Sequence, residues 1–274
     1  MFLFLLLLCG CKEGALTGSS EGDDADESGQ DSIELAGDTL HLFEEAVIPE
    51  TVDELFDDFF FSFAVDSKFQ NQRISFPVAC KDGNAEMKIS RQDWSHYNRF
   101  AQQEFYGVIY EREHDLELQK DTAVSDVSVE WMYLDDDYVE KFNFSRQGGK
   151  WMLKNIQKDS FSNSPNGSFL KFYASFVSDS VFQRNALTTP LRLVLISEDV
   201  DEGQQVEELS ADEWFEMKHD LPFQKDALVN IDYGQTCISQ NRKTLLMQGV
   251  SNGLFIKFKF DKSGGEWKLM EVEL

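Results

Sequence analysis

Few side chains of this sequence have a type and spacing that could support catalysis or metal binding. The four histidines are His41, His96, His114 and His219, and none lies in the HExxH pattern of zinc proteases. Three adjacent acids at residues 135–137 could offer oxygen ligands to calcium, but they lack the spacing and the glycine of an EF-hand loop. A solvated hairpin tip is the other interpretation of these acids. The sequence therefore predicts no metal site and no cofactor.

Four aromatic or imidazole side chains, all on or beside two short predicted helices, are the candidates for lining a ligand pocket. They are Trp94, His96, Tyr97 and Trp214. His96 lies between two aromatic neighbours, which is why a place in a pocket is considered for it. A packed or half-exposed helix position is the alternative for this histidine. None of the four is predicted to be catalytic.

The N-terminal stretch MFLFLLLLCGC contains the motif with the most specific chemistry. Residues 2–8 form an apolar run that is too short to span a bilayer as a helix, which needs about 20 residues, and that suits the core of a secretory signal. The LCGC stretch at residues 8–11 resembles a bacterial lipobox, in which the final cysteine receives acyl lipid such as palmitate. We therefore predict a lipoprotein signal peptide at residues 1–10 and lipidation of Cys11. The alternative is a buried N-terminal element with incidental cysteines.

Negative charge is concentrated near the N-terminus. The segment from Glu13 to Ser67 has 17 acidic residues and no lysine or arginine, in a chain with a net charge of −25. Residues 11–45 have few large apolar side chains and cannot bury enough surface to fold, so they are predicted to be a disordered, self-repelling tether. A surface-export signal is the alternative to a plain spacer. The acidity argues against nucleic acid or anionic lipid as a partner.

Two further cysteines, Cys80 and Cys237, lie one in each half of the chain. In an oxidising compartment they could form a disulfide. Two separate buried thiols are the alternative, and the sequence favours them. The spacing of the cysteines does not match a zinc site.

A repeated sequence segment indicates the architecture of the chain. FNFSRQGGKWMLKNI at residues 142–156 returns as FKFDKSGGEWKLMEV at residues 258–272. In both copies apolar and polar residues alternate on either side of a Gly-Gly pair, which predicts an antiparallel hairpin with one buried face.

The repeat extends upstream of this hairpin. FDDFFFSFAVDSKFQ at residues 56–70 aligns with FLKFYASFVSDSVFQ at residues 169–183, with identical phenylalanines and an identical Asp-Ser pair. The phenylalanines of both stretches fall at helical spacing, which predicts a helix with one apolar stripe at the start of each copy. We therefore predict two tandem domains, at residues 46–160 and 161–274.

Start signals for helices recur in each predicted domain. They are Thr51 with Glu54, Ser90 with Asp93, Ser164 with Pro165, and Ser210 with Glu213. Residues 124–134, 138–144 and 151–156 are rich in β-branched and aromatic side chains and read as consecutive antiparallel strands. Each domain is thus expected to be α+β, cone-like, with helices packed on a curved antiparallel sheet.

The order of elements, the repeat length and the closing GGxWxL signature resemble the nuclear transport factor two-like superfamily, which includes ketosteroid-isomerase-like and polyketide-cyclase-like domains. The resemblance covers residues 46–274 and implies a pocket between helices and sheet, with Trp151 and Trp267 holding the last strand of each copy to the core. The whole chain also resembles uncharacterised lipoproteins of the Bacteroidetes type. Neither resemblance supplies a catalytic residue.

Three functions remain open at this point. The first is a non-catalytic binding module for an apolar small ligand or a partner protein, lipid-anchored to the outer membrane of a bacterial cell envelope on its periplasmic or surface-exposed face. The second is an enzyme of the isomerase or cyclase kind, and the third is a scaffold subunit of a surface complex. The two halves share mainly residues that determine the fold, which favours the first and third functions.

Overall fold

The computed structural model of the chain describes residues 48–196 and 203–274. The predicted signal peptide, Cys11 and the predicted tether therefore lie outside the described residues. The described residues all belong to one compact unit, in which the same order of elements occurs twice.

That unit contains both helices and strands. The described α-helices are α1 Phe56–Val65, α2 Ser67–Gln72, α3 Gly167–Ser178, α4 Ser180–Asn185 and α5 Ala211–Met217. Short 3-10 helices lie at Arg99–Gln102, Glu113–Lys120, Phe161–Asn163 and Lys218–Asp220. The strands of the first half are β1 Ile74–Asp82, β2 Ala85–Ile89, β3 Phe105–Tyr110, β4 Asp126–Tyr133, β5 Tyr138–Gln147 and β6 Lys150–Ser160. Those of the second half are β7 Leu187–Ile196, β8 Gln204–Leu209, β9 Ala227–Asp232, β10 Arg242–Gly249, β11 Phe255–Ser263 and β12 Glu266–Glu273.

All of these strands belong to one sheet, in the order β2-β1-β6-β5-β4-β9-β3-β10-β11-β12-β7-β8. The sheet is mixed, because β1 pairs with β6, β7 with β12, and β3 with β9 in parallel. The expectation of a separate antiparallel sheet in each half differs from this arrangement. Joining the halves through β9 and β3 covers the open edges that separate sheets would leave at β4 and β10.

Two strands are exchanged between the halves. Along the chain β3 comes directly before β4, yet in the sheet it pairs with β10. Likewise, β9 comes directly before β10 along the chain, yet it pairs with β4. β3 and β9 meet at Gly107 and Asn230, where the Asn230 carboxamide oxygen accepts the Ile109 N–H at 2.9 Å. A Cβ on Gly107 would lie 3.0 Å from the Leu245 side chain, so glycine allows this close approach.

The two hydrophobic cores lie on opposite faces of the sheet. Successive side chains of a strand point to opposite faces. In β3, Val108 and Tyr110 belong to the core that contains α1, whereas Ile109 belongs to the core that contains α3. In β10, Leu246 belongs to the first core and Leu245 to the second. The central strands are therefore buried on both faces.

Aromatic rings form the centre of each core, and the predicted helical stripe is confirmed. Phe56, Phe59 and Phe63 of α1 surround Phe144, with ring centroids 5.2 to 5.7 Å apart. Trp151 of β6 is fully buried 5.1 Å from Phe56. The second core repeats this arrangement with Phe169, Phe172 and Phe176 around Phe260, beside the buried Trp267. Both tryptophans thus hold the last strand of their half to the core, as predicted.

Several residues that are identical in the two copies have local structural roles. Both predicted hairpins form, β5–β6 and β11–β12, and the four glycines at residues 148–149 and 264–265 all have positive φ. Asp66 caps α2 by accepting the N–H groups of residues 68 and 69, and Asp179 caps α4 in the same way. The identical residues at these positions are therefore turn and cap residues.

The predicted helix starts are correct in one of the four places. Ser210 and Glu213 form a complete capping box at α5. Thr51 and Glu54 form only a turn, and α1 begins later, at Phe56. Ser164 and Pro165 precede the start of α3 at Gly167, whose N-terminal cap position is Asn166.

The predicted short helix after Ser90 does not form. Residues 91–98 form a turn and irregular backbone instead. The Ser90 hydroxyl donates to the Asp93 carboxylate at 2.6 Å instead of accepting a helical N–H. In a capping box this carboxylate would accept the backbone N–H of the cap residue. Here the Asp93 carboxylate is bonded to the Ser90 hydroxyl instead.

Candidate functional site

A cavity of about 640 Å³ lies along α1. Its apolar lining consists of Phe60, Phe61 and Val65 of α1 together with Phe100 and Ile231. Phe60 and Phe100 pack edge to face, with centroids 4.5 Å apart. A space of this size with aromatic walls is typical of a small-molecule site.

Both halves of the chain contribute to this cavity. Helix α1 and Tyr106 come from the first half, whereas Ile231 and residues 248–251 come from the second. The strand exchange explains this composition, because it places β9 and β10 beside the elements that pack on α1.

A tight turn between β10 and β11 forms one rim of the cavity. The Gly249 N–H donates to the Leu254 carbonyl at 2.9 Å, and Val250 N–H donates to the Glu104 carbonyl at 2.8 Å. A Cβ on Gly249 would lie 1.6 Å from the Asn252 carboxamide oxygen. A side chain at this position would displace the Asn252 carboxamide, which donates to the Glu104 carbonyl and accepts the Leu254 N–H.

Asp57 is the central polar group of the cavity wall. It lies in the first turn of α1, directly after the buried Phe56 and one turn before the buried Phe60. The Tyr106 hydroxyl donates to Asp57 Oδ2 at 3.1 Å, and the Tyr233 hydroxyl donates to Oδ1. The two tyrosines come from β3 and from the residue after β9, so the exchanged strands converge on one carboxyl group.

Burial raises the pKa of the Asp57 carboxyl above its ordinary value, and the neighbouring Asp58 acts in the same direction. The hydrogen bonds from Tyr233 and Tyr106 partly oppose this rise. Burial, followed by the charge of Asp57, raises the pKa of the Tyr106 hydroxyl as well. Burial, followed by the charge of Asp57, raises the pKa of the Tyr233 hydroxyl too, so both tyrosines keep their hydroxyl hydrogens near neutral pH.

The four pocket candidates from the sequence are not among the residues that line this cavity. His96 is exposed, and Trp94 and Tyr97 are half-buried. The Trp94 indole N–H and the Tyr97 backbone N–H both donate to Gln70 Oε1, at 2.9 and 2.8 Å. Trp214 is fully buried in the second core.

The cysteines and acidic residues also have clear positions. Cys80 of β1 and Cys237, in the loop after β9, are both free thiols. Burial raises the pKa of the Cys237 thiol to about 11. The acids at residues 135–137 occupy the exposed turn between β4 and β5. Across residues 48–196 and 203–274, no group of three or more His, Cys, Asp or Glu side chains is arranged to hold a metal ion.

Sequence reasoning missed the Asp57 cluster, although one signal pointed to it. The repeat aligns Asp57 with Leu170, which is fully buried in α3. A carboxylate at a position where the other copy buries leucine is costly unless it has a specific role. The two tyrosines gave no comparable signal, because they lie 49 and 176 residues away in sequence.

No helix in the described part of the chain is both long and apolar enough to cross a bilayer.

Comparison with known proteins agrees with this architecture. The family model described as "Domain of unknown function (DUF4348)" matches residues 36–274. No curated protein matches the chain. Among solved structures, the chain is similar to the crystal structure of an NTF2-like protein from Bacteroides fragilis NCTC 9343. The two are 35% identical, with a TM-score of 0.74, over 82% of this chain and 97% of the Bacteroides chain. The expected likeness to NTF2-like proteins is thereby confirmed, and the chain belongs to the DUF4348 family.

Proposed function

We propose that this protein is a lipid-anchored binding module of the bacterial cell envelope, whose cavity holds a small ligand with an apolar body and which does not catalyse a reaction. The observation that carries the proposal is the cavity of about 640 Å³ with Phe60, Phe61 and Phe100 in its wall. Burial of a ligand against these rings would supply about 25 cal/mol per Å² of apolar surface removed from water. The NTF2-like fold is compatible with this role and does not identify the ligand.

The proposed membrane attachment rests on the sequence. Cys11, at the end of the lipobox-like LCGC stretch, would receive the lipid, and residues 11–45 would form the acidic tether. Attachment by more than one acyl chain does not require a basic patch. The outer membrane, on its periplasmic or surface-exposed side, is the proposed location.

Native mass spectrometry of residues 40–274, purified without detergent from the envelope of its own host, tests ligand binding. A stoichiometric added mass that is lost on denaturation is expected. Val65→Trp, which fills the cavity from α1, should remove the added mass. Val181→Trp is the matched control, because Val181 is 70% exposed on α4 and far from the cavity lining. A bare mass for the wild-type protein, repeated across growth conditions, would contradict the proposal and favour a protein partner or a scaffold.

Cell fractionation tests the lipid anchor. Cys11→Ser should move the protein from the membrane fraction to the soluble fraction and abolish incorporation of labelled palmitate. Cys9→Ser is the control, because Cys9 would leave with the signal peptide. Equal labelling of the two variants would rule out Cys11 as the acceptor.

One observation favours an enzyme as the second candidate function. Asp57 is a carboxyl group on a cavity wall whose pKa is raised by burial, which is a frequent property of catalytic acids and bases. Exchange of the α-hydrogens of cyclic ketones with deuterated solvent, followed by NMR, separates the two candidates. Exchange above the buffer rate that disappears in Asp57→Asn would support an enzyme. Exchange at the buffer rate for both proteins supports binding alone.

A further inference from the structure

Asp57 faces the cavity without a cationic partner. The residues that line the cavity include no lysine, arginine or histidine, and no ion pair within the described part of the chain involves Asp57. Its two oxygens are bonded instead by the neutral hydroxyls of Tyr106 and Tyr233. A carboxylate that is removed from water without a counter-ion is energetically unfavourable, and a cation entering the cavity would relieve that situation.

The directions of the hydrogen bonds make this part of the wall a set of acceptors. Tyr106 and Tyr233 use their hydroxyl hydrogens on Asp57, so the Tyr106 oxygen offers only its lone pairs to the cavity. The Ser62 hydroxyl hydrogen is likewise used, on the Asp58 carbonyl at 3.1 Å. A ligand group placed here must therefore donate hydrogen bonds or carry positive charge.

Aromatic rings surround the same space. Phe60 and Phe61 follow Asp57 by one turn of α1, and the Phe100 ring packs on the Phe60 ring. Ring faces attract cations within about 6 Å, and sites that combine aromatic rings with a carboxylate are suited to ammonium groups. The rings also supply the apolar surface that the remainder of such a ligand requires.

We propose that the cavity selects an organic cation, an ammonium group on an apolar body, with Asp57 as its counter-ion. This inference rests on the proposed binding function and specifies its ligand class. In the second half of the chain, the fully buried Leu170 occupies the position of Asp57, so the carboxyl group of this site is not repeated there.

Calorimetric titration with two probes of matched size tests the inference. The probes are 2-phenylethylammonium and 2-phenylethanol, which differ in the charged group. The protein is the full chain in lipid nanodiscs, and empty nanodiscs serve as the blank. The cation should bind the wild-type protein at least about tenfold more tightly than the alcohol, which corresponds to about 1.4 kcal/mol. Asp57→Asn should bind both probes equally.

Asp136→Asn provides the matched control, because it removes the same charge at the exposed β4–β5 turn and should keep the preference for the cation. If Asp57→Asn does not fold, Phe61→Leu is the second variant, since Phe61 is 43% exposed and its replacement removes only one ring. It should weaken cation binding more than alcohol binding.

Different failures of this experiment have different meanings. Equal affinity of the two probes for wild-type protein, or a preference that survives in Asp57→Asn, would overturn the cation proposal while leaving ligand binding intact. Binding of neither probe, together with a bare native mass, would overturn both proposals.

Discussion

Equivalent residues of the two repeats have taken different roles. Asp57 and Leu170 occupy the same position of their helices, and one faces a cavity while the other is buried in a core. Phe60 lies on the cavity wall, and its counterpart is Tyr173, whose buried hydroxyl has no hydrogen-bond partner among the described residues. Differences between copies at otherwise matching positions are therefore the best sequence guide to the site.

The stability of the protein should depend on pH through Asp57. Burial raises the pKa of this carboxyl in the folded state above its ordinary value of 3.8, so the folded protein holds the proton more tightly than the unfolded chain. Its contribution to stability is therefore greatest below the unfolded pKa and is lost as the pH rises through the folded pKa. The free energy of unfolding of wild type minus that of Asp57→Asn should therefore fall as the pH rises from the unfolded pKa of the carboxyl through its raised folded pKa. Urea unfolding of both proteins measures this difference, and a constant difference would contradict the raised pKa.

Gly167 is a position where the addition of one carbon atom, a Cβ, should change the stability of the protein. A Cβ there would lie 1.7 Å from the Phe161 carbonyl oxygen, at the start of α3. Because backbone must move to relieve this clash, Gly167→Ala should lower the free energy of unfolding by about 2–3 kcal/mol. Ser178→Ala at the exposed end of the same helix should change it by less than about 0.5 kcal/mol. Thermal and urea unfolding compare the two, and equal stabilities would show that the turn before α3 adapts easily.

At the scale of elements, the sequence predicted what local patterns determine. The alternating hairpins and the phenylalanine stripes of α1 and α3 were identified correctly, because side-chain periodicity and glycine turns are local properties. The short helix after Ser90 was not, because a distant side chain determines that segment. Gln70 Oε1 accepts from Trp94 and Tyr97, and its amide group donates to the Phe63 and Tyr97 carbonyls at 2.8 and 2.9 Å.

Gln70 should therefore be more important than its counterpart Gln183. All four hydrogen bonds of the Gln70 amide are made, and Gln70→Leu would leave buried donors and acceptors without partners. We expect a loss of about 2–3 kcal/mol in the free energy of unfolding. Gln183→Leu is the matched control, because the side-chain bond described for Gln183 comes from Lys218, a half-exposed residue that can turn to water. Hydrogen exchange of the Tyr97 amide should accelerate in Gln70→Leu and remain unchanged in Gln183→Leu; a larger effect of the second variant would contradict this account.

At the scale of the whole molecule, the repeat was visible in the sequence but the sheet was not. Identical phrases reveal that two copies exist, whereas the partner of each strand depends on pairings between distant residues. β3 and β9 have no sequence feature that distinguishes pairing within a half from pairing across halves. The cavity could not be predicted for the same reason, since its walls require both exchanged strands.

Because β3 and β9 are exchanged, we expect each half to depend on the other for folding. Residues 48–160 without β9 would leave β4 paired only with β5, with its other edge open, and would lose Ile231 and Tyr233 from the first core. Neither this fragment nor residues 161–274 should fold when expressed separately, and mixing them should restore the native spectrum. Circular dichroism and amide NMR spectra of each fragment and of the mixture test this. A well-dispersed spectrum for one isolated fragment would show that the exchange is not required for folding.

Interlocked strands also bear on how the two copies can diverge over evolutionary time. A duplicate that folds alone can be deleted without harm, but a duplicate that supplies a strand to its sibling must be retained. Retention leaves each copy free to specialise. The second copy, with Leu170 in its core, can provide structural support, while the first tolerates a carboxylate that a single domain of half this size would have less stability to accommodate.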